Sequence, residues 1–161
     1  MANWCDNYVR FTGDRETFTA VRELFLQLEK DNEKPSCDLP KFITAENRVI
    51  IDISVQPDFI YYRTRWQPNL QALQQIADHF GAGFTNRYCE PATCLWGEAR
   101  YTNGHGENIR LEPQDLRRCS YNCERACYYY KDKSYQDDED LFNEMLDDKL
   151  QQIRTINQIS R

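Results

Sequence analysis

The chain has 161 residues, 40% of them hydrophobic and 13% aromatic, with a formal net charge of −6 at pH 7. That length suits one domain burying roughly 70% of the surface its unfolded chain would expose, and the apolar content excludes global disorder. No run approaches the ~18 consecutive apolar residues of a membrane span, and the opening residues lack the basic flank and apolar run of a secretory signal, so an untargeted cytoplasmic protein without membrane contact is expected.

In chain order, the first stretch is "MANWCDNYVRFTG", with an indole and a thiol at positions 4 and 5, where chains usually fray. An indole left in water there would forgo burial worth a few kcal/mol, so Trp4 and Cys5 are expected to anchor on the core. Tyr8–Thr12 alternates in strand-forming residues up to Gly13, and Asp14 is placed to cap a helix. Phe18, Val21, Leu24, Phe25 and Leu28 then recur at helical spacing. "DNEKPSCDLPKF" breaks that pattern with two prolines and reads as a loop. Arg48–Val55 and Phe59–Trp66 are predicted strands joined by "QPD" as a hairpin. A second amphipathic helix follows "QPN", with Leu70, Leu73, Ile76, Ala77 and Phe80 on one face, and stops at "GAG". Phe84–Cys89 and Leu95–Thr102 read as strands around "EPAT", "NGHGEN" as a turn, and Ile109–Leu111 as a short last strand.

The order β-α-β-β-α-β with an added strand predicts an α+β, ferredoxin-like domain over residues 1–112: a split βαβ antiparallel sheet with two helices on one face. After Pro113, "QDLRRCSYNCERACYYY" reads as helical and a last helix covers Asp140–Ile156. Residues 113–161 are thus expected to form a helical acidic extension packed on the same domain.

Three motifs carry a resemblance: Asn3-Trp4-Cys5 with Asn7, Trp66-Gln67-Pro68, and Tyr88-Cys89-Glu90-Pro91 followed by Leu95-Trp96-Gly97. Together they resemble the YubB ferredoxin-like family of small proteins, over roughly residues 1–112. Ala92 stands where the resemblance expects a glycine, so a different turn is expected there. The resemblance implies a ferredoxin-like fold, an origin on plasmids or phages, and packing roles for Trp4, Cys5 and Trp66. It carries over no catalytic residue.

Seven cysteines, an odd number without a secretory signal, point first to free thiols, then to metal binding, then to a disulfide framework. Cys119, Cys123 and Cys127 would share a face of a helix, but positions eight apart lie about 12 Å apart, too far to share one zinc. Cys89 and Cys94 could join Cys123 and Cys127 in a four-thiolate zinc site that staples the tail to the sheet. The alternative is small thiols lining the core. His79 and His105 are the only histidines; neither is tied by spacing to a nucleophile, and "GHG" is too short to cradle a phosphate, so no enzyme activity is expected.

Two surfaces remain. Tyr61, Arg63 and Arg65 alternate onto one strand face, which Trp96, Glu98 and Arg100 would share. Such an aromatic and basic sheet is how this fold stacks nucleic-acid bases, although the RNA-recognition aromatic motif is missing and an element covering the sheet would explain the same residues. The second surface is acidic: residues 132–148 hold eight acids against Lys133, a net −7 that leaves about +1 for the rest. Phe142, Met145, Leu146, Leu150 and Ile153 form a docking stripe, and acids in the first turn suit the helix dipole. Asp140, Glu144 and Asp148 would step by about 6 Å along one side, comparable to the ~7 Å between DNA phosphates two steps apart. Asp137, Asp138, Asp140, Glu144, Asp147 and Asp148 are therefore expected to meet a basic surface on a bacterial protein or nucleoprotein complex. The protein would act as a non-enzymatic inhibitor of a defence or nucleic-acid-handling machine, with a nucleic-acid-binding module or a zinc-stapled module as alternatives and a merely solvated helix face as the plain one. Oligomeric state is left open.

Overall fold

Strand β1 (Trp4–Thr12) begins within the first residues and lies at the middle of a sheet, between β4 (Ile60–Arg65) and β5 (Gly83–Glu90). The computed structural model describes residues 3–30 and 37–159, so the first half of the proposed proline loop, residues 31–36, lies outside the described residues. The chain divides into two compact units, Met1–Asn108 and Ile109–Arg161.

In the first unit, β1 leads into α1 (Arg15–Lys30), then β2 (Cys37–Asp38), β3 (Val49–Val55), β4, α2 (Leu70–Phe80), β5, β6 (Leu95–Thr102) and β7 (His105–Arg110), which runs two residues past the unit boundary. The sheet order is β2-β3-β4-β1-β5-β6-β7, and the β1–β4, β1–β5, β2–β3, β3–β4 and β5–β6 pairs are antiparallel. Alternation along β1 buries Cys5, Asn7, Val9 and Phe11, while Trp4, Asp6, Tyr8 and Arg10 take the other face. One hydrophobic cluster joins those buried apolar residues to Val21 and Phe25 of α1 and Leu73 and Ile76 of α2. The Asp14 cap forms as expected: its Oδ1 accepts the Thr17 N–H at 2.8 Å, and that bond holds its carboxyl below the usual range. Gly81 ends α2 in the left-handed conformation (φ 67°).

Two elements of this unit differ from expectation. The two-residue β2 was not foreseen. The turn placed over "NGHGEN" shrinks to Asn103 (φ 51°) and Gly104 (φ 78°), a two-residue turn whose positive φ values match the twist of a hairpin. His105–Arg110 is then a strand; almost all of it is exposed, so it shows no apolar alternation to read.

The second unit differs more. Only Pro113–Leu116 (α3) of the expected long helix is helical. Beyond it, β8 (Cys119–Asn122), β9 (Cys127–Tyr130) and β10 (Lys133–Tyr135) form a three-stranded antiparallel sheet, followed by α4 (Asp138–Ile159). The Asn122 side chain redirects the chain: its Oδ1 accepts the N–H groups of Glu124 and Arg125 at 3.0 Å each, and Ala126 takes φ 49°. An Asx turn of this kind, before a run of β-favouring tyrosines, makes a hairpin. Helix α4 buries Leu141, Phe142, Met145, Leu146 and Leu150 and lies against β9 and β10. Lys149 ties it to α3, its Nζ donating to Asp115 Oδ2 at 2.5 Å.

Candidate functional site

The sheet face expected to bind nucleic acid is assembled by register: Tyr8 pairs Tyr61, Asp6 pairs Arg63, Trp4 pairs Arg65 and Arg87 pairs Glu98. Its polar groups are largely satisfied from within. Tyr61 donates to Asp6 Oδ1 at 2.6 Å, and burial together with that bond pushes its phenol far up. Arg63 is ion-paired with Asp52, which sits at φ 51° where β3 shifts register. Arg100 donates twice to Glu98 Oε1, at 2.5 and 2.8 Å. Trp96, expected to line this face as a stacking ring, is 0% exposed and offers no ring to a base. Arg65 alone of the five proposed residues is exposed and, among the described residues, has no carboxylate partner.

Beside Arg65 is a feature sequence reading assigned to packing. Trp66 is 54% exposed and holds φ 67°, in the left-handed region that a bulky side chain rarely adopts. Alternation would have put it on the buried face with Ile60, Tyr62 and Thr64; the left-handed turn brings it out instead. The turn is held from several sides. Trp66 N–H donates to Asn3 O (3.0 Å), Gln67 N–H to Arg65 O (2.8 Å), Thr64 Oγ1 to Gln67 O (2.8 Å), and Asn47 Nδ2 to Gln67 O (3.2 Å). Trp4 is half-buried, with the guanidinium carbons of Arg63 and Arg65 5.9 and 5.8 Å from its ring centroid. Of the opening pair, then, Cys5 is the core anchor, and burial pushes its thiol well up. Trp4 serves the opposite face.

On α4 the acids divide into two groups. Glu144 accepts Lys133 Nζ at 2.8 Å and Tyr135 OH at 2.6 Å; Asp148 meets Lys131 Nζ at 2.6 Å and Tyr130 OH at 2.8 Å. These two carboxylates hold the helix on its own sheet, so the expected Asp140–Glu144–Asp148 phosphate-like stripe does not exist. Bonds from Lys133 and Tyr135 lower the Glu144 carboxyl. Burial raises the Asp148 carboxyl, but Lys131 and Tyr130 outweigh it and the net shift is downward. Tyr130 and Tyr135 are each pushed up to about 12, by burial first and by their carboxylate partners second. Asp137, Asp138 and Asp140 remain at the head of the helix; Asp137 Oδ1 accepts the Glu139 N–H at 2.6 Å as a cap. Asp147 is exposed on the same helix.

The family described as the ferredoxin-like domain in Api92-like protein matches residues 46–155. The chain belongs to that family. No curated protein and no solved structure matches it. The ferredoxin-like domain of the Api92-like family runs across the boundary between the two units, so residues 113–155, expected to be an appendage, are part of the family's match.

The stretches Tyr88-Cys89-Glu90-Pro91 and Leu95-Trp96-Gly97 of this Api92-like domain have structural uses. Glu90 is buried, and its carboxylate accepts the N–H groups of Ala92 and Thr93 at 3.0 Å each, folding the Pro91–Thr93 turn. The left-handed residue of that turn is Cys94 (φ 52°), so Ala92 is tolerated where glycine was expected. The proposed zinc ligands do not come together: among the described residues no three His, Cys, Asp or Glu side chains are grouped to hold an ion. Cys89 and Cys127 are buried, Cys94 and Cys123 are exposed, and the last two tail thiols lie in a hairpin instead of on one helical face.

An acid transition follows from the α4 pairs. Carboxyls lowered in the fold contribute stability above their unfolded values, and that contribution is lost as pH falls through the lowered ones, below about pH 4. The near-UV circular dichroism of the tyrosines is expected to fall between about pH 4 and 2, and the double variant Glu144→Gln/Asp148→Asn is expected to flatten that step. Identical acid profiles for the two proteins would contradict this role.

Proposed function

We propose that the protein is a non-enzymatic binding protein of plasmid or phage origin that engages a basic surface on a bacterial protein or nucleoprotein complex. We further read the order β1-α1-β3-β4-α2-β5 as a split βαβ with both helices on one face. Contact is made by the head of α4, through Asp137, Asp138 and Asp140, with Asp147 further along. One observation carries this reading: Lys131 and Lys133 are engaged by Asp148 and Glu144, and among the described residues no cation meets the three first-turn aspartates. Negative charge gathered in one place speeds and directs association with a positive surface. His79 is used in packing, its ring stacked on Phe42 with the centroids 4.0 Å apart.

The test is the triple variant Asp137→Asn/Asp138→Asn/Asp140→Asn. Asparagine caps a helix as well as aspartate, so the fold is kept. Against the partner captured from a bacterial lysate, affinity is expected to drop about tenfold or more at low salt, with the difference closing near ~1 M salt. Equal affinity at every salt concentration removes the reading.

A further inference from the structure

We propose that the corner formed by Trp66, Arg65 and Trp4 is a second, separate docking site, for a protein segment presenting a carboxylate beside an apolar side chain. Three observations lead there. First, the indole of Trp66 is 54% exposed while its backbone is held at φ 67°; a glycine or asparagine would adopt that turn at less cost. Bulky residues in such a conformation concentrate where a protein makes contacts. Second, the turn is rigid, anchored to Asn3, Asn47, Thr64 and Arg65 by the bonds described above, so little ordering is required on binding. Third, among the described residues Arg65 has no carboxylate partner. Arg63 is met by Asp52, whereas Arg65 lies over Trp4 with its N–H groups available.

Trp and Arg are the side chains that dominate protein contact energies, and a guanidinium fork matches a carboxylate. A nucleic acid fits less well. Arg63 and Arg100 of this face are already held by Asp52 and Glu98, and a phosphate backbone binds through many cations at once, whereas one guanidinium fork suffices for one carboxylate. Charge and composition together select an acidic, partly apolar protein segment.

The probe is a displayed library of random peptides about twelve residues long, selected on the full chain. Enriched peptides are expected to place Asp or Glu beside Leu, Ile or an aromatic residue. Synthetic copies should bind Arg65→Gln and Trp66→Gly at least about tenfold more weakly than the parent, the scale of a contact-dominating residue. Trp66→Gly is expected to melt at or above the parent temperature because glycine relieves the left-handed strain, and Arg65→Gln tests the site independently of the turn. Failure to enrich any peptide, enrichment of basic peptides, or undiminished binding to both variants would overturn the proposal. So would a thymidine oligonucleotide of similar length that binds more tightly than the peptides and is lost in Trp66→Gly.

Discussion

Gly97→Ala is expected to destabilise the protein by about 2–3 kcal/mol and to lower its Tm by roughly 5–10 °C. Gly97 of β6 lies directly opposite Tyr88 of β5, and the tyrosine ring covers it. A Cβ at position 97 would come within 2.9 Å of Tyr88 Cε2 and closer still to its Cζ and Oη. The ring cannot swing aside cheaply: Tyr88 is 2% exposed, and its hydroxyl donates to Asn108 Oδ1 at 2.7 Å. Relief therefore requires either the loss of that part-buried hydrogen bond or a shift of two paired strands. Shortening the ring, in the double variant Gly97→Ala/Tyr88→Leu, should return part of the loss, so the two changes together cost less than their sum. Thermal melts of the four proteins in the cycle decide it; an unchanged Tm for Gly97→Ala would mean that ring and glycine are not in register.

Gly97 also shows why parts of the chain were legible. Tyr88-Cys89-Glu90-Pro91 and Leu95-Trp96-Gly97 read as one motif because register brings them together: a ring over a glycine, and a buried carboxylate folding the turn between the two strands. Helices α1 and α2 were legible because each buries one side, which leaves a period in the sequence, and strands β3 to β6 because runs of β-branched and aromatic residues stand between turn signals. Where no side is simply buried, the period disappears. Strand β7 is exposed along most of its length. Cys119, Cys123 and Cys127 happen to fall four apart, and that spacing imitated a helix in a segment bent at Asn122. Trp66 follows the alternation of β4, but its positive φ, which no pattern of side chains announces, reverses the direction of the indole. The acids of α4 were counted correctly and assigned wrongly in two cases: of the groups that meet Glu144 and Asp148, Tyr130 ends β9 in a segment read as helical, Lys131 follows it in the turn, and Lys133 and Tyr135 lie on β10, where no strand was expected.

Asn7→Ala is expected to be at least as damaging, at about 3–4 kcal/mol, a large share of a typical total of 5–15. Asn7, Asn86 and Thr64 are all 0% exposed on the inner side of the sheet. Asn7 Nδ2 donates to Cys5 O and to Thr64 Oγ1, both at 3.0 Å, and its Oδ1 accepts Asn86 Nδ2 at 3.0 Å. Thr64 passes the chain on to Gln67 O, so one polar line crosses β5, β1 and β4 and ends in the turn that exposes Trp66. Alanine at position 7 leaves Asn86 stranded, since among the described residues its Oδ1 already has no hydrogen-bond partner, and each stranded buried group costs about 1–3 kcal/mol. Asn7→Asp should be worse at neutral pH, because it keeps the bond from Asn86 but turns the bond to Cys5 O into a repulsion and can hold Thr64 only by taking the hydroxyl proton that otherwise goes to Gln67 O. Burial would raise the new carboxyl above its unfolded value of roughly 3.9. The Asn7→Asp variant is thus closest to the parent below about pH 4, and its deficit grows as pH rises. Removing both amides, in Asn7→Leu/Asn86→Leu, should cost less than the two single changes added together, since no polar partner is then left unmet between them. Urea unfolding at about pH 4 and pH 7 separates these outcomes: a loss under ~1 kcal/mol for Asn7→Ala, or a pH-independent deficit for Asn7→Asp, would mean that this line of amides is wet or loosely held, and the rigidity claimed for the Trp66 turn would lose its support from the core.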